Sequence, residues 1–127
     1  MADIVRELHD DLLILRVTGE LSFDELLVAI KDHFPSITRD LVWDFREGTF
    51  RSVSSAQLER IPAIVRQHMP NRAGGKTAYV ASADVDFGLW RMYTAIASYN
   101  KMPYDYSVFR DYAEALHWIG RPDLAAE

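Results

Sequence analysis

A buried strand that leads into a serine-capped helix is the feature that most constrains how this chain folds. Leu41-Val42-Trp43 is fully apolar and ends in Asp44-Phe45, the pattern of a strand covered on both faces. A short loop rich in Arg, Gly and Thr follows, and Ser54-Ser55 then opens an amphipathic helix. This arrangement predicts a parallel α/β sheet. Ligands or modifying groups usually dock at the edge of such a sheet where the strands end and the helices begin.

The other segments predict a hairpin followed by further strand–helix units. Ile4–Leu8 and Leu12–Thr18 are β-prone runs separated by a tight polar turn. We expect the remaining strands at 76–81 and 104–109, and helices that begin near Ser22, Ser54, Asp84 or Asp86, and Asp111. The order β-β-α-β-α-β-α-β-α predicts an α/β fold with a mostly parallel five-stranded sheet and one antiparallel edge strand. We expect a single domain over residues 1–120 and a frayed tail over 121–127.

Capping chemistry supports the predicted helix starts. Ser22-Phe23-Asp24-Glu25 has the pattern of a capping box, in which the Ser hydroxyl and the Glu carboxylate each bind the other residue's amide. Gln57 stands in the position that completes a second box with Ser54. Pro62 lies in the middle of the second helix and is expected to kink or split it, because it removes one amide donor.

The third helix has two apolar faces. At about 100° per residue, one face forms a continuous stripe that we predict to be core, consisting of Val85, Leu89, Met92, Ile96 and Tyr99. Phe87 and Trp90 then point to the opposite side, where two aromatic side chains suggest an interface or a ligand pocket. The alternative is that these two residues belong to a second layer of core. On the first interpretation, a second copy of the chain covers them.

Composition excludes several functional classes. The 127 residues contain no cysteine, which excludes disulfides, thiolate metal sites and cysteine nucleophiles and fits a cytoplasmic protein. The net charge of -5 weighs against a nucleic-acid binder. No apolar run approaches the roughly 20 residues that cross a bilayer, so no transmembrane segment is expected. The N-terminus also lacks the pattern of a secretion signal.

No motif in the chain dictates a reaction. None of the four histidines is three to five residues from another, so we predict no metal site and no cofactor. Gly74-Gly75-Lys76-Thr77 superficially resembles a phosphate-binding loop, but it lacks the upstream glycine and leads into a strand. A serine–histidine dyad has no nucleophile-elbow pattern to support it. We therefore expect a protein without enzymatic activity.

Two sets of residues remain as candidate sites. Ser54 and Ser55 are either a helix cap or a phosphoacceptor, because a phosphate there would meet a helix N-terminus. The second set is expected at the helix-starting edge of the sheet, where it could bind an anionic head group or phosphate: Asp44, Arg46, Arg51 and Arg91. The alternative is a network of salt bridges that neutralises these arginines through Asp44, Asp84 and Asp86.

The element order and the serine pair resemble the STAS fold of sporulation-type anti-sigma-factor antagonists. In that family a loop reading roughly Asp-Ser-Ser-Gly follows the central strand, and its first Ser is the phosphoacceptor. The aligned residues here are Val53-Ser54-Ser55-Ala56, so both serines are present and the flanking Asp and Gly are not. The resemblance implies a regulatory protein-interaction role in which Ser54 is the residue to be modified.

The chain also resembles the SpoIIAA-like group of small STAS-related proteins, whose fold is similar to CRAL-TRIO lipid-binding domains. The residues that carry this resemblance are Gly19-Glu20-Leu21, Trp43-Asp44-Phe45, the run from Phe87 to Tyr93, and Val108-Phe109-Arg110-Asp111 with Ala113, Glu114, Ala115 and Trp118. It implies two candidate roles. The first is a regulatory module that binds a protein partner or forms a homodimer, and the second is a carrier of a small anionic or lipid-like ligand.

Overall fold

Five strands form one sheet within residues 2–69, 75–102 and 104–126, which are the residues that the computed structural model describes. The elements in chain order are β1 (Ala2–His9), β2 (Leu12–Glu20), α1 (Phe23–His33), β3 (Asp40–Thr49), α2 (Ser55–His68), β4 (Lys76–Val80), α3 (Asp84–Tyr99), β5 (Asp105–Phe109) and α4 (Tyr112–Ile119). Short 3-10 helices follow α1 at Phe34–Ser36 and α4 at Pro122–Ala126.

The strands lie in the sheet in the same order as they occur in the sequence, β1-β2-β3-β4-β5. β1 is antiparallel to β2, and β2 to β5 are parallel, so the predicted fold class is confirmed. Every parallel crossover steps in the same direction, and right-handed crossovers of this kind place their helices on one face of the sheet. α1, α2 and α3 accordingly pack on one hydrophobic cluster, and α4 packs alone on a second cluster across the sheet.

Three of the four helices start at the predicted caps. Ser22 and Ser54 both form complete capping boxes, and the Asp111 side chain accepts a hydrogen bond from the first turn of α4. α3 also begins where predicted, at Asp84, but its N-cap is Ala83, which has no side chain that can cap the helix. Because each helix follows a parallel strand, the N-termini of all four helices lie at the carboxyl edge of the sheet.

The predicted faces of α3 are reversed in the structure. Trp90 is only 3% exposed, whereas Val85 is 54%, Met92 45% and Tyr99 88% exposed. The reason is the sheet surface beneath this helix, which offers aromatic rings from β3, β4 and the loop after β3. The Trp90 ring lies 4.4 Å from the Tyr79 ring, centroid to centroid, and joins a cluster that also contains Trp43, Phe45, Phe50 and Tyr93.

Phe87 and Trp90 therefore do not form the interface predicted for them. Phe87 is half-buried, and the Arg110 guanidinium lies 4.3 Å from the centre of its ring. The alternative that both residues contribute to a further layer of core describes the structure correctly.

Two other local predictions can be compared with the structure. α2 continues through Pro62 as one helix, so of the two expected effects, a kink or a split, the split does not occur. The segment expected to fray forms the 3-10 helix Pro122–Ala126, and Leu124 packs against the cluster beneath α4. Most of the glycine-rich loop predicted at 70–75 lies outside the described residues. No helix among the described residues is long and apolar enough to cross a membrane.

Candidate functional site

The loop between β3 and α2 presents both candidate serines to solvent. Phe50 and Val53 are buried and hold the loop against the core, with the Val53 amide donating to the Phe50 carbonyl at 3.0 Å. Ser54 and Ser55, which follow directly, are exposed. The Ser54 hydroxyl accepts a hydrogen bond from the Gln57 amide at 3.2 Å, so this side chain serves as a cap. The serine pair is thus exposed but fixed in position.

A buried carboxylate connects this loop to the first turn of α3. Asp86 is 2% exposed and accepts hydrogen bonds from the Thr49 hydroxyl at 2.5 Å and from Arg51 Nη2 at 3.2 Å. The Arg51 amide in turn donates to the Thr49 hydroxyl at 3.3 Å. Charged hydrogen bonds of this kind are short and directional, so they fix the end of β3 relative to α3. The sequence indicated Asp86 as a candidate helix start and as a neutralising charge, and it gave no sign of the bond between Asp86 and Thr49.

A second polar cluster lies on the opposite face of the sheet, next to α4. Asp44 on β3 is 1% exposed, and Arg16 Nε donates to its Oδ2 at 3.0 Å. Arg46 donates to both oxygens of the same carboxylate, with Nη2 at 2.8 Å from Oδ2. The Arg46 guanidinium also lies 3.8 Å from the centre of the Tyr112 ring, and Arg16 Nη1 forms an ion pair with Glu7 at 2.7 Å.

The charges in this cluster stabilise one another. Burial opposes ionisation of Asp44, but hydrogen bonds from Arg46 and Arg16 outweigh it and hold the pKa of the carboxyl below its usual range. Burial acts against the charge on Arg16, yet Asp44 and Glu7 raise its pKa. Two arginines are therefore balanced by two carboxylates, and an incoming anion would have to compete with Asp44 for both guanidinium groups.

An open groove of about 430 Å³ runs over this cluster, lined by Arg16, Asp44, Arg46, Glu47 and Tyr112. Arg16 and Tyr112 were missed by the sequence analysis. A single arginine in the otherwise apolar run Leu12–Val17 was the available signal, but its partner could be identified only from the register, which pairs Arg16 with Asp44. The groove is polar, and its lining fits a hydrogen-bonding molecule better than a lipid chain.

The four residues of the predicted anion site do not come together. Asp44 and Arg46 lie beside α4, whereas Arg51 is bonded to Asp86 on the other face of the sheet. Arg91 is exposed on α3 and belongs to neither cluster. The alternative of salt bridges describes Arg46, which pairs with Asp44, and Arg51, which pairs with Asp86. It does not extend to Asp84, which pairs with Arg110 and not with one of the three predicted arginines.

The interior between the sheet and helices α1 to α3 is closely packed. The cavity found there measures about 20 Å³ and is lined by apolar and aromatic side chains, among them Trp43, Tyr79 and Trp90. A space of this size holds about one water molecule. Among the described residues, no group of three or more His, Asp or Glu side chains could hold a metal ion.

Comparison with known proteins identifies the fold. No model of a known protein family matches this sequence, and no curated protein matches it either. Among solved structures, an anti-sigma factor antagonist from Mycobacterium paratuberculosis is similar, with a TM-score of 0.64 and 17% identity over 94% of this chain and 95% of the other. An uncharacterized protein with a SpoIIAA-like fold from Shewanella loihica PV-4 gives a TM-score of 0.55 and 17% identity over 93% of each chain. The chain has a SpoIIAA-like fold.

Proposed function

We propose that this protein is a non-enzymatic STAS-like regulatory module, related in function to anti-sigma-factor antagonists, which binds a protein partner around Ser54. The observation that carries the proposal is the position of Ser54. It is exposed at the N-terminus of α2, directly after the central strand, on a loop that Phe50 and Asp86 hold in place. In the anti-sigma-factor antagonists that the sequence resembles, the phosphoacceptor serine occupies this position.

The local chemistry is compatible with regulation by phosphate. A phosphate on Ser54 would meet the free amides of the first turn of α2, and its charge would be favourable at that end of the helix dipole. It would also add close to two negative charges to a surface that a partner contacts. The flanking Asp of the related loop is replaced by Val53, whose buried side chain anchors the loop. A kinase would therefore meet the serines without an adjacent carboxylate.

Binding experiments with matched variants test this proposal. Tagged wild type, Ser54→Ala, Ser54→Glu and Ser55→Ala proteins are incubated with lysate of the native host, and the bound proteins are identified by mass spectrometry. We expect an anti-sigma factor bound to all but Ser54→Glu, because only that change adds charge at the contact. Equal binding by Ser54→Glu, or the absence of an anti-sigma factor in every sample, would contradict the proposal.

Stability measurements on the same variants separate capping from signalling. Ser54→Ala should lower the free energy of unfolding by about 1 kcal/mol because it removes the hydroxyl that accepts from Gln57. Ser55→Ala should change it by less than about 0.5 kcal/mol, since an exposed side chain is lost. A binding defect confined to Ser54→Glu then reflects charge and not unfolding.

The carrier role has less support. A lipid-like ligand needs an apolar pocket of several hundred Å³, and the interior cavity measures about 20 Å³. A small anionic ligand would lie in the groove beside Tyr112, where Asp44 already binds both arginines.

A further inference from the structure

Helix α3 carries an apolar stripe that is partly exposed to solvent. Its members follow one another at spacings of four, three, four and three residues: Val85, Leu89, Met92, Ile96 and Tyr99. Val85, Met92 and Tyr99 are exposed, whereas Leu89 and Ile96 are half-buried and also pack against the core. This alternation of three and four is the heptad spacing by which one helix packs along another.

The stripe also forms one side of a groove. Ile96 and Tyr99, together with Ala95 and Asn100, line an open space of about 430 Å³ that Glu59 of α2 borders on the other side. A groove between two helices that is lined by large apolar side chains commonly binds a further helix. A stripe of this length on the surface of a small protein marks an interaction site.

We propose that this stripe binds the same stripe of a second copy of the chain, with the two α3 helices antiparallel about a two-fold axis near Met92. The stripe is self-complementary about that residue. Val85 and Tyr99 are each seven residues from Met92, so the smaller side chain meets the larger one of the mate. Leu89 and Ile96, three and four residues away, likewise face each other. A two-fold interface requires this kind of self-complementarity.

Charge also favours a second copy over other occupants. Asp84, which also pairs with Arg110, begins the helix and is exposed, and the exposed Lys101 follows the helix end. Antiparallel helices therefore bring opposite charges and opposite helix dipoles together. The stripe itself carries no charge that would select an acidic or basic partner. A net charge of -5 disfavours binding to an anionic membrane surface.

The expected dimer is weak. α3 has 16 residues and is about 24 Å long. Five side chains on such a helix offer less than the roughly 800 Å² per partner of a standard stable interface, so we expect a dissociation constant in the micromolar range.

Sedimentation velocity over a concentration series tests for the dimer. Met92→Glu places two carboxylates at the axis and should weaken association by about thirtyfold or more. Val28→Glu is the matched control, since Val28 is an exposed apolar residue on α1, and it should dimerise as wild type does. Circular dichroism confirms that each variant is folded. A wild type that stays monomeric at tens of micromolar, or a Met92→Glu protein that still dimerises like wild type, would overturn the proposal.

Disulfide cross-linking tests the orientation, because the chain contains no cysteine. Val85→Cys and Tyr99→Cys proteins are oxidised separately and as a mixture, and the products are weighed by mass spectrometry. The antiparallel dimer should give the mixed disulfide as the main product. Val28→Cys is the control for non-specific cross-linking. Cross-linking of each variant mainly to itself would mean that the two helices are parallel, and cross-linking no greater than that of the control would mean that the stripe does not pair. Either result overturns the proposal.

Discussion

Asp44 remains charged although almost none of its side chain reaches solvent. An isolated buried carboxylate would take up a proton, but here five hydrogen bonds come from Arg16 and from the side chain and amide of Arg46. Both arginines are partly exposed, so they supply charge to the interior while keeping much of their own hydration. The carboxylate thus ties together β2, β3 and, through Tyr112, the start of α4.

Asp44→Asn should make the protein less stable at neutral pH by about 2 kcal/mol, because the amide cannot accept so many charged hydrogen bonds. The folded-state pKa of Asp44 lies below its ordinary value of 3.8. The charged carboxylate therefore contributes its full stability above about pH 4, and this contribution is lost as the pH falls through the folded-state pKa. Urea unfolding at pH 7 and at pH 3 or below should show the gap between wild type and variant closing in acid. A gap that stays constant would mean that Asp44 does not titrate as described.

Helix α3 shows where prediction from the sequence ends. Its existence, its length and the four–three spacing of its apolar residues could all be predicted, since periodicity and local capping depend on neighbours along the chain. Which of two apolar faces is buried depends on the surface opposite. That surface consists of Trp43, Phe45 and Tyr79, whose rings match Trp90 in size and planarity. Pairing between Arg16 and Asp44 was unpredictable for the same reason, because it depends on the register of separate strands.

Two glycines should respond to the same substitution in opposite directions. A Cβ at Gly48 on β3 would lie 2.7 Å from the Val17 carbonyl oxygen, whereas a Cβ at Gly88 in α3 would meet nothing within 4 Å. Gly48→Ala should therefore cost about 1–3 kcal/mol of unfolding free energy, because the strand backbones must separate. Gly88→Ala should raise it by up to about 1 kcal/mol, as expected in an exposed helix interior. Denaturant midpoints measure both changes, and a neutral Gly48→Ala would show that the two strands are not so close.

At the scale of the molecule, the order of strands and helices was easier to predict than the contacts between distant segments. Strand and helix patterns, with Ser22, Ser54 and Asp111 as caps, were enough to obtain the element order and the parallel sheet. Residues 121–127 are predicted to fray because they follow the last helix, and terminal residues are commonly poorly ordered unless other contacts hold them. Arg121 nevertheless makes a long-range contact, since its Nη1 donates to the His9 carbonyl at 3.2 Å, across almost the whole length of the chain.

Truncation after Gly120 should lower the free energy of unfolding by about 2 kcal/mol. It removes Leu124, which packs on the cluster beneath α4, and the bond from Arg121 to the turn between β1 and β2. Thermal and urea unfolding of the truncated and full-length proteins measure the difference, and Leu124→Ala in the full-length chain separates the apolar contact from the rest. If the truncated protein unfolds at the wild-type midpoint, these residues are a dispensable tail.

The consecutive strand order has a consequence for synthesis on the ribosome. Each new strand of the nascent chain adds beside the one made just before it, so no strand has to wait for a distant partner. The growing sheet has one fixed edge at β1 and a second edge at its newest strand, and the second edge moves as translation proceeds. From the emergence of β4 until residues 105–109 follow, this second edge is the apolar strand Lys76–Val80. During this interval two nascent chains could pair through a strand edge that β5 covers in the finished protein.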